Sequence, residues 1–448
     1  VTVVNNYDVI VVGAGPAGLV AAKTAAENGF KVALLEKKSD PNVVDRACGA
    51  TLDSANEYLH HDLYACNPRD KRLSFPAHGF SIKYDGPWTD LYSMNICSPC
   101  GNQITMGVVA EQKKKGNHGK ITSILDKEIL MRGLLEEAKD YSVEVFPGVN
   151  VDKVTATDDG VTIGGSGQSF HGRYLIAADG INSPVARITG FNENREYYCQ
   201  FRAITHYMSD VELPEPDGAY NITQFVKGCP VLGFAHKSAS DGGYVFIVAT
   251  LHPEINLKEA RDYFLKEAFC APWFMNAKIL RTFSANANCY SHIDEPCKGR
   301  ILVTGDVGST QELEITGAII AGWKAGHAVA LAIHEENFGL EITGTRKYAE
   351  WWQKDYTECY SSDSYMKVWA LPYLLTKPEE IDYLFGLIKE PLAASYNPYN
   401  MAKNMGKALR TVFPTAEKER PELLQKMGKM RLPFTEIIAD VTKLSKPI

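Results

Sequence analysis

The sequence predicts an α/β chain (α+β overall), in which a parallel-sheet lobe is interrupted by an inserted antiparallel sheet and followed by a helical C-terminal region. Three observations predict it. An apolar run ending at Val12 passes through Gly13, Gly15 and Gly18 into a helical pattern, then into a second apolar run that closes at Glu36. Two later apolar runs also stop at an acid, Asp179 and Asp306. Between these two, from about Tyr197 to Arg281, short stretches rich in aromatic and β-branched residues alternate with Gly, Pro, Asp and Ser clusters, the pattern of antiparallel strands.

The first segment is a Rossmann-like βαβ unit with a dinucleotide fingerprint, Gly13-Ala14-Gly15-Pro16-Ala17-Gly18. The first glycine permits the tight turn, the second lets backbone approach a pyrophosphate, and the third, after Ala17, lets helix and strand pack closely. Glu36, followed by Lys37, stands where a ribose needs an acceptor.

In the second segment, strand Tyr174 to Ala178 runs into Asp179-Gly180, then Asn182-Ser183-Pro184 and a short helix carrying Arg187. In the third, Ile301 to Thr304 stops at Gly305-Asp306, and a small-residue helix begins near Thr316-Gly317-Ala318. Either pair, Asp179-Gly180 or Gly305-Asp306, taken alone reads as an ordinary turn. Together and in this order, the three segments resemble the FAD-binding fold of the aromatic hydroxylase and geranylgeranyl reductase superfamily. The resemblance implies FAD as cofactor, Asp306 bonded to its ribityl chain, and the helix at Gly317 and Ala318 pointing its N-terminus at the flavin. A helix dipole so placed stabilises the negative charge of a reduced flavin at its N1 and O2 edge.

Arg46-Ala47-Cys48-Gly49-Ala50 resembles the basic-x-Cys-Gly-Gly segment of the geranylgeranyl reductase family, with Ala50 in place of the second glycine. The resemblance implies that Arg46, Cys48 and Gly49 line the isoalloxazine, with the cysteine facing the substrate; the alternative is a buried structural thiol. Lys127, in the helix that starts at Asp126, stands where relatives carry an Arg that reaches FAD, so a point charge replaces a planar fork. In the inserted sheet, where relatives show Tyr-x-Trp-x-Phe-Pro, this chain has Val231 to His236 and keeps only Phe234 of the aromatics. After Asp306, the run Val307 to Leu313 carries neither the hydroxylases' Ala-Ala-His nor the reductases' Asn-Pro pair.

A chain of 448 residues with 45% hydrophobic content has the length for more than one lobe. Its net charge of -7 gives no general basic surface, so nucleic acid is not an expected partner. Lys113-Lys114-Lys115 reads as part of a solvated loop. The N-terminal stretch leads into the first strand without the basic start and apolar core of a secretory signal. Ile315 to Ile333, interrupted by Lys324 and His327, reads as a buried helix rather than a membrane span. Ten cysteines without a secretion signal point to a reducing compartment, so the expected location is cytoplasmic, with at most peripheral membrane contact. Cys97 and Cys100 form a CxxC that reads as half a metal site, a redox pair or two thiols in a turn; Cys289 and Cys297 are poorly spaced to complete it, and no metal is expected.

The cofactor lobe is expected from residues 1–110, 121–190 and 290–335, the substrate sheet from 191–289 and the helical region from 336–448. Trp351, Trp352, Tyr356, Tyr360, Tyr365 and Trp369 in that last region read as core of a helical cap, or else as an aromatic wall over a substrate channel.

The leading functional expectation is an FAD-dependent oxidoreductase that reduces, or forms, a carbon–carbon double bond of a small apolar substrate such as an isoprenoid lipid or enoyl compound. Hydride transfer at flavin N5 is then matched by a proton, with Cys48 and His236 as the candidate donors. No second glycine fingerprint for NAD(P)H is visible, which favours an electron-carrier protein or a reduced quinone-like donor as the electron source, with NAD(P)H as the alternative, since hydroxylases bind it without such a motif. The alternatives are an FAD-dependent monooxygenase using NAD(P)H and O2, and a carrier that kept the fold and lost the flavin.

Overall fold

The computed structural model describes residues 5–53, 55–240, 242–308, 314–359 and 361–447. Its larger sheet has eight strands. Strands Asn5–Val12, Val32–Glu36 and Glu144–Pro147 run parallel at one side, and Gln168–Ala177 pairs in parallel with Asn5–Val12. Beyond it the sheet forks, to the antiparallel strands Val161–Gly165 and Val151–Ala156 and to the parallel strand Ile301–Val303. All five residues of Val32–Glu36 and all three of Ile301–Val303 are buried, as parallel strands covered on both faces must be.

The register positions the site. Leu35 is paired with Val12, Val12 with Ala177, and Ala177 with Val303. The ladder continues one step further, with Gly13 N–H bonded to Leu35 O, Ala178 N–H to Val12 O and Thr304 N–H to Ala177 O. Glu36, Gly13, Asp179 and Asp306, scattered through 294 positions of sequence, therefore leave the sheet along one edge, at the carboxyl ends of its parallel strands.

Helices Pro16–Glu27 and Glu314–Asn337 cross closely on this sheet. A Cβ at Gly322 would lie 2.2 Å from Ala17 O, and one at Gly326 would lie 2.7 Å from Ala21 O, so the approach requires glycine at both positions. Glu314–Asn337 is long and apolar enough to cross a membrane by length and composition, but 78% of its most apolar window is buried inside the protein.

The second sheet has seven strands, in the order Lys278–Tyr290, Tyr197–Ser209, Gly243–Thr250, Cys229–Lys237, Gly218–Val226, Ser93–Cys97 and Gln103–Met106. The last two belong to sequence outside 191–289, and Ser93–Cys97 pairs in parallel with Gly218–Val226. Phe246 and Val248 on one face pack with Phe264 of helix Leu257–Lys266. Strand alternation puts Asn221, Phe234, Ile247 and Thr205 in one cross-strand row on the opposite face, with His236 and Tyr207 in the adjoining row.

The C-terminal region is helical over Pro378–Leu387, Pro398–Glu419 and Pro421–Gly428. Its aromatic residues pack in more than one place. Trp352 and Tyr356 are fully buried, and Trp352 Nε1–H donates to Ile293 O at 2.6 Å. Trp369 reaches the second sheet, its ring 5.5 Å from that of Phe234. Tyr360 lies outside the described residues.

Candidate functional site

The glycine turn has three distinct geometries. Gly13 has φ of +102°, and a Cβ there would lie 2.3 Å from Ala178 O. A Cβ on Gly18 would lie 1.8 Å from Gly13 O, so turn and helix touch without room for a side chain. At Gly15 nothing lies within 4 Å of such a Cβ. Gly15 is also the N-cap of Pro16–Glu27, with no side-chain cap and no acid in the first turn. Open space in front of unpaired N–H groups and a positive dipole end is a site for phosphate oxygens.

Glu36 is 5% exposed and grips the turn: Oε2 accepts from Ala14 N–H at 2.7 Å and Oε1 from Lys38 N–H at 2.9 Å. Each oxygen keeps a lone pair for a further donor. Lys37 is exposed, and its charge acts on Asp179. Asp179 accepts from Ser183 Oγ at 2.6 Å and from Val185 N–H at 3.1 Å, tying down the turn that opens the short helix Pro184–Ile188. Burial pushes its carboxyl up to about 6 against those bonds. Next to it, Gly180 has φ of +85° and lies beside the Arg46 guanidinium.

Asp306 is different. Its Oδ1 is closed off from solvent and has no hydrogen-bond partner among the described residues. Burial raises it to about 6, opposed by the charges of Lys127 and Arg46. Gly305 before it has φ of +61° and sits close against Ala17. Gly317 and Ala318 are buried in the first turns of Glu314–Asn337. Ser309 to Leu313, the segment that departs from both hydroxylases and reductases, lies outside the described residues.

Cys48 sits between this edge and the second sheet. Its Sγ accepts from Lys127 Nζ at 3.3 Å and from Ala50 N–H at 3.4 Å. Lys127, expected where relatives carry an Arg that reaches FAD, lies at the thiol; Asp126 fixes its place by capping helix Lys127–Asp140 through the N–H groups of Glu128 and Ile129. A Cβ on Gly49 would meet Ile247 Cδ1 at 3.6 Å and His236 Nε2 at 3.8 Å. The Cys48-Gly49 turn therefore faces the row of Asn221, Phe234, Ile247 and Thr205. His236 is 3% exposed, and its Nδ1 lies 2.7 Å from Lys237 O. Burial lowers it to about 4, so at neutral pH the ring is uncharged. The carbonyl only accepts, so the ring proton sits on Nδ1 and Nε2 is an acceptor.

An Asp306 Oδ1 without a partner among the described residues, an uncapped helix over open space and three acids along one sheet edge suit FAD, and the comparisons agree. The FAD binding domain family matches residues 6–227. A digeranylgeranylglycerophospholipid reductase of Methanosarcina acetivorans is 26% identical over 444 residues, covering 92% of this chain and 98% of that protein. The chain is an FAD-dependent oxidoreductase, similar to the geranylgeranyl reductases. Its fold is shared with a geranylgeranyl bacteriochlorophyll reductase-like protein of Thermoplasma acidophilum, with a TM-score of 0.67 at 17% identity over 96% of this chain and 100% of that one. The fold also extends to p-nitrophenol 4-monooxygenase of Pseudomonas putida, with a TM-score of 0.59 at 16% identity over 92% and 98% of the two chains.

The flavoprotein also gathers polar residues that sequence reasoning missed. Asp53, 2% exposed, lies against Glu314, and Thr51 Oγ1 donates to Glu314 Oε2 at 3.0 Å. Tyr396, from the segment before helix Pro398–Glu419, reaches Thr51. No spacing motif links these positions; the one available signal was a lone acid after the small, apolar run Cys48 to Leu52. The CxxC is split by burial: Cys97 is 1% exposed and pushed up to about 12, while Cys100 is exposed and its N–H bonds Asp382. Among the described residues no three His, Cys, Asp or Glu gather as a metal site.

Proposed function

We propose that this FAD-dependent oxidoreductase reduces a carbon–carbon double bond of an apolar, isoprenoid-type substrate held beside the Cys48-Gly49 turn, along the Phe234 side of the second sheet. In this reading Gly13, Gly15, Ala17 and Gly18 cradle the pyrophosphate, and Glu36 with Lys37 faces the adenosine ribose. Asp306, Gly305, Gly317 and Ala318 hold the ribityl and flavin end, with Asp179, Gly180 and Arg46 beside it. Bound FAD supplies hydride chemistry at N5. The electrons reach it from NAD(P)H or a carrier protein.

The observation that carries the proposal is the Cys48 thiol, 3.3 Å from the Lys127 ammonium, on a turn that faces Ile247. Hydride addition to an alkene needs a proton at the other carbon. A thiol whose conjugate base is met by an ammonium and a backbone N–H is a suitable acid, because both donors stabilise the thiolate it leaves. His236 cannot take that role at neutral pH, since its Nε2 carries no proton; it serves as wall and acceptor. Phe234, Ile247 and the Trp369 ring give the face its apolar character.

The test is Cys48→Ala in the FAD-loaded protein. Retained FAD with alkene reduction lowered about 100-fold or more, the usual size of a lost general acid, supports the role. Retained FAD with full turnover removes Cys48 from the chemistry.

A further inference from the structure

Two hydrogen bonds reach the Cys48 sulfur: Lys127 Nζ donates to it at 3.3 Å and Ala50 N–H at 3.4 Å. Both use the sulfur as acceptor, so neither engages the thiol proton. An ammonium has three N–H donors, and Cys48 Sγ is the one acceptor that Lys127 Nζ meets among the described residues. Lys127 is half-buried, so its other donors need water.

A place for that water lies against the same lysine. A cavity of about 40 Å³ is lined by Lys127 together with Asp126, Glu128, Tyr207, Ser240 and Arg281, among others, and neither Cys48 nor Ala50 lines it. One water needs roughly 10–15 Å³ on this measure, so the cavity has room for about three. Arg281 Nη2 lies 2.5 Å from Glu128 Oε1 with both side chains about half exposed, so the cavity reaches solvent beside this ion pair. The rings of Phe283 and Tyr207 flank the Arg281 guanidinium at 4.9 and 5.9 Å. Of the two groups bonded to the sulfur, only Lys127 also lines the cavity.

We propose that Lys127 is the proton carrier of the reaction, reloading the Cys48 thiol between turnovers and being reloaded in turn by water in the cavity beside the Arg281–Glu128 pair. The role rests on the reading of Cys48 as the acid of a reductase. In each cycle the Cys48 S–H bond breaks as a C–H bond forms on the substrate, leaving a thiolate beside the ammonium. A Lys127 N–H bond then breaks as the S–H bond reforms, and the neutral amine takes a proton from cavity water, which recovers one from solvent. One proton passes from solvent to substrate, and no electron moves through Lys127. This goes beyond holding the thiolate by charge: a guanidinium would do that as well, but it cannot give up its proton, whereas an ammonium can.

The test has two readouts. The first needs no turnover: alkylation of Cys48 by iodoacetamide in the FAD-free protein at neutral pH, resolved at that residue by mass spectrometry. It reports the thiolate, so Lys127→Met is expected to slow it about tenfold or more and Lys127→Arg to leave it near the wild-type rate. The second compares first and later turnovers of the FAD-loaded protein with prenyl alcohols from geraniol to geranylgeraniol as the alkenes. Lys127→Arg is expected to keep the first turnover, drawn from a thiol already protonated, and to slow later ones about tenfold or more. In Lys127→Ala, small primary amines should restore later turnovers at rates that follow the basicity of the amine, and methylguanidinium should not. Unchanged alkylation in Lys127→Met overturns the pairing of ammonium with thiolate. Later turnovers at the wild-type rate in Lys127→Arg, equal slowing of first and later turnovers, or equal rescue by amines and methylguanidinium overturns the transfer of a proton by Lys127. A wild type that alkylates as expected but reduces none of the alkenes contradicts the reductase reading and takes the carrier role with it, an outcome distinct from the others because the pairing with Cys48 stands.

Discussion

Glu36 Oε2 accepts the backbone N–H of Ala14 at 2.7 Å, tying the end of the second strand to the glycine turn of the first. The acid is therefore part of the fold before any ribose arrives. In Glu36→Gln, one of the two backbone donors, Ala14 or Lys38, must face an amide NH2. The FAD-free protein is expected to lose about 1–3 kcal/mol, the cost of a buried donor left unmade. Urea unfolding of apoprotein measures it; unchanged stability would mean that Glu36 acts on the ligand alone.

The three glycines separate by the same logic. Gly15→Ala meets open space at an ordinary φ of -76°, so apoprotein stability should stay within about 0.5 kcal/mol of wild type while FAD binding weakens. Gly18→Ala forces a methyl against Gly13 O and should cost about 3 kcal/mol or more without any cofactor present. Parallel unfolding and FAD titrations of the two variants check the contrast.

Asp306 predicts a pH dependence. Its folded value, raised by burial to about 6, lies above the ordinary carboxylate value near 4, so between these the folded protein binds more protons than the unfolded chain. Stability must then fall as pH rises through that window, the reverse of a salt-bridged acid, by up to about 3 kcal/mol from this group. Asp306→Asn should flatten that part of the profile. Unfolding midpoints of the two apoproteins across the window decide it; identical slopes would contradict the raised value.

Thr205 is fully buried on the second sheet, and its Oγ1 has no partner among the described residues. Thr205→Val, which removes a hydroxyl at nearly constant shape, should leave the free protein as stable as wild type or stabilise it by about 1 kcal/mol. A loss of stability in unfolding experiments would show that the hydroxyl is engaged.

Much of the cofactor edge was legible in sequence because parallel strands bring their carboxyl ends to one level, so a run of apolar residues ending on Gly or Asp marks the same edge each time. The inserted sheet was legible for the same reason of pattern, except at Ser93–Cys97 and Gln103–Met106, which are too short and too distant to declare their partner strand. The Thr51 to Glu314 bond joins residues 263 positions apart and follows no spacing rule. Lys127 could be matched to a family position, but its contact with Cys48 depends on how helix Lys127–Asp140 is capped and seated. Such relationships arise from packing between segments, which periodicity does not encode.

The most direct measurement is anaerobic reduction of the FAD-loaded protein followed by rapid mixing with prenyl lipids and other alkenes, or with oxygen, while flavin absorbance is followed. The account predicts fast flavin reoxidation by an alkene with formation of the saturated product, and slow reaction with oxygen. Indifference to every alkene, with a transient hydroperoxyflavin absorbance on mixing with oxygen, would contradict it and identify a monooxygenase.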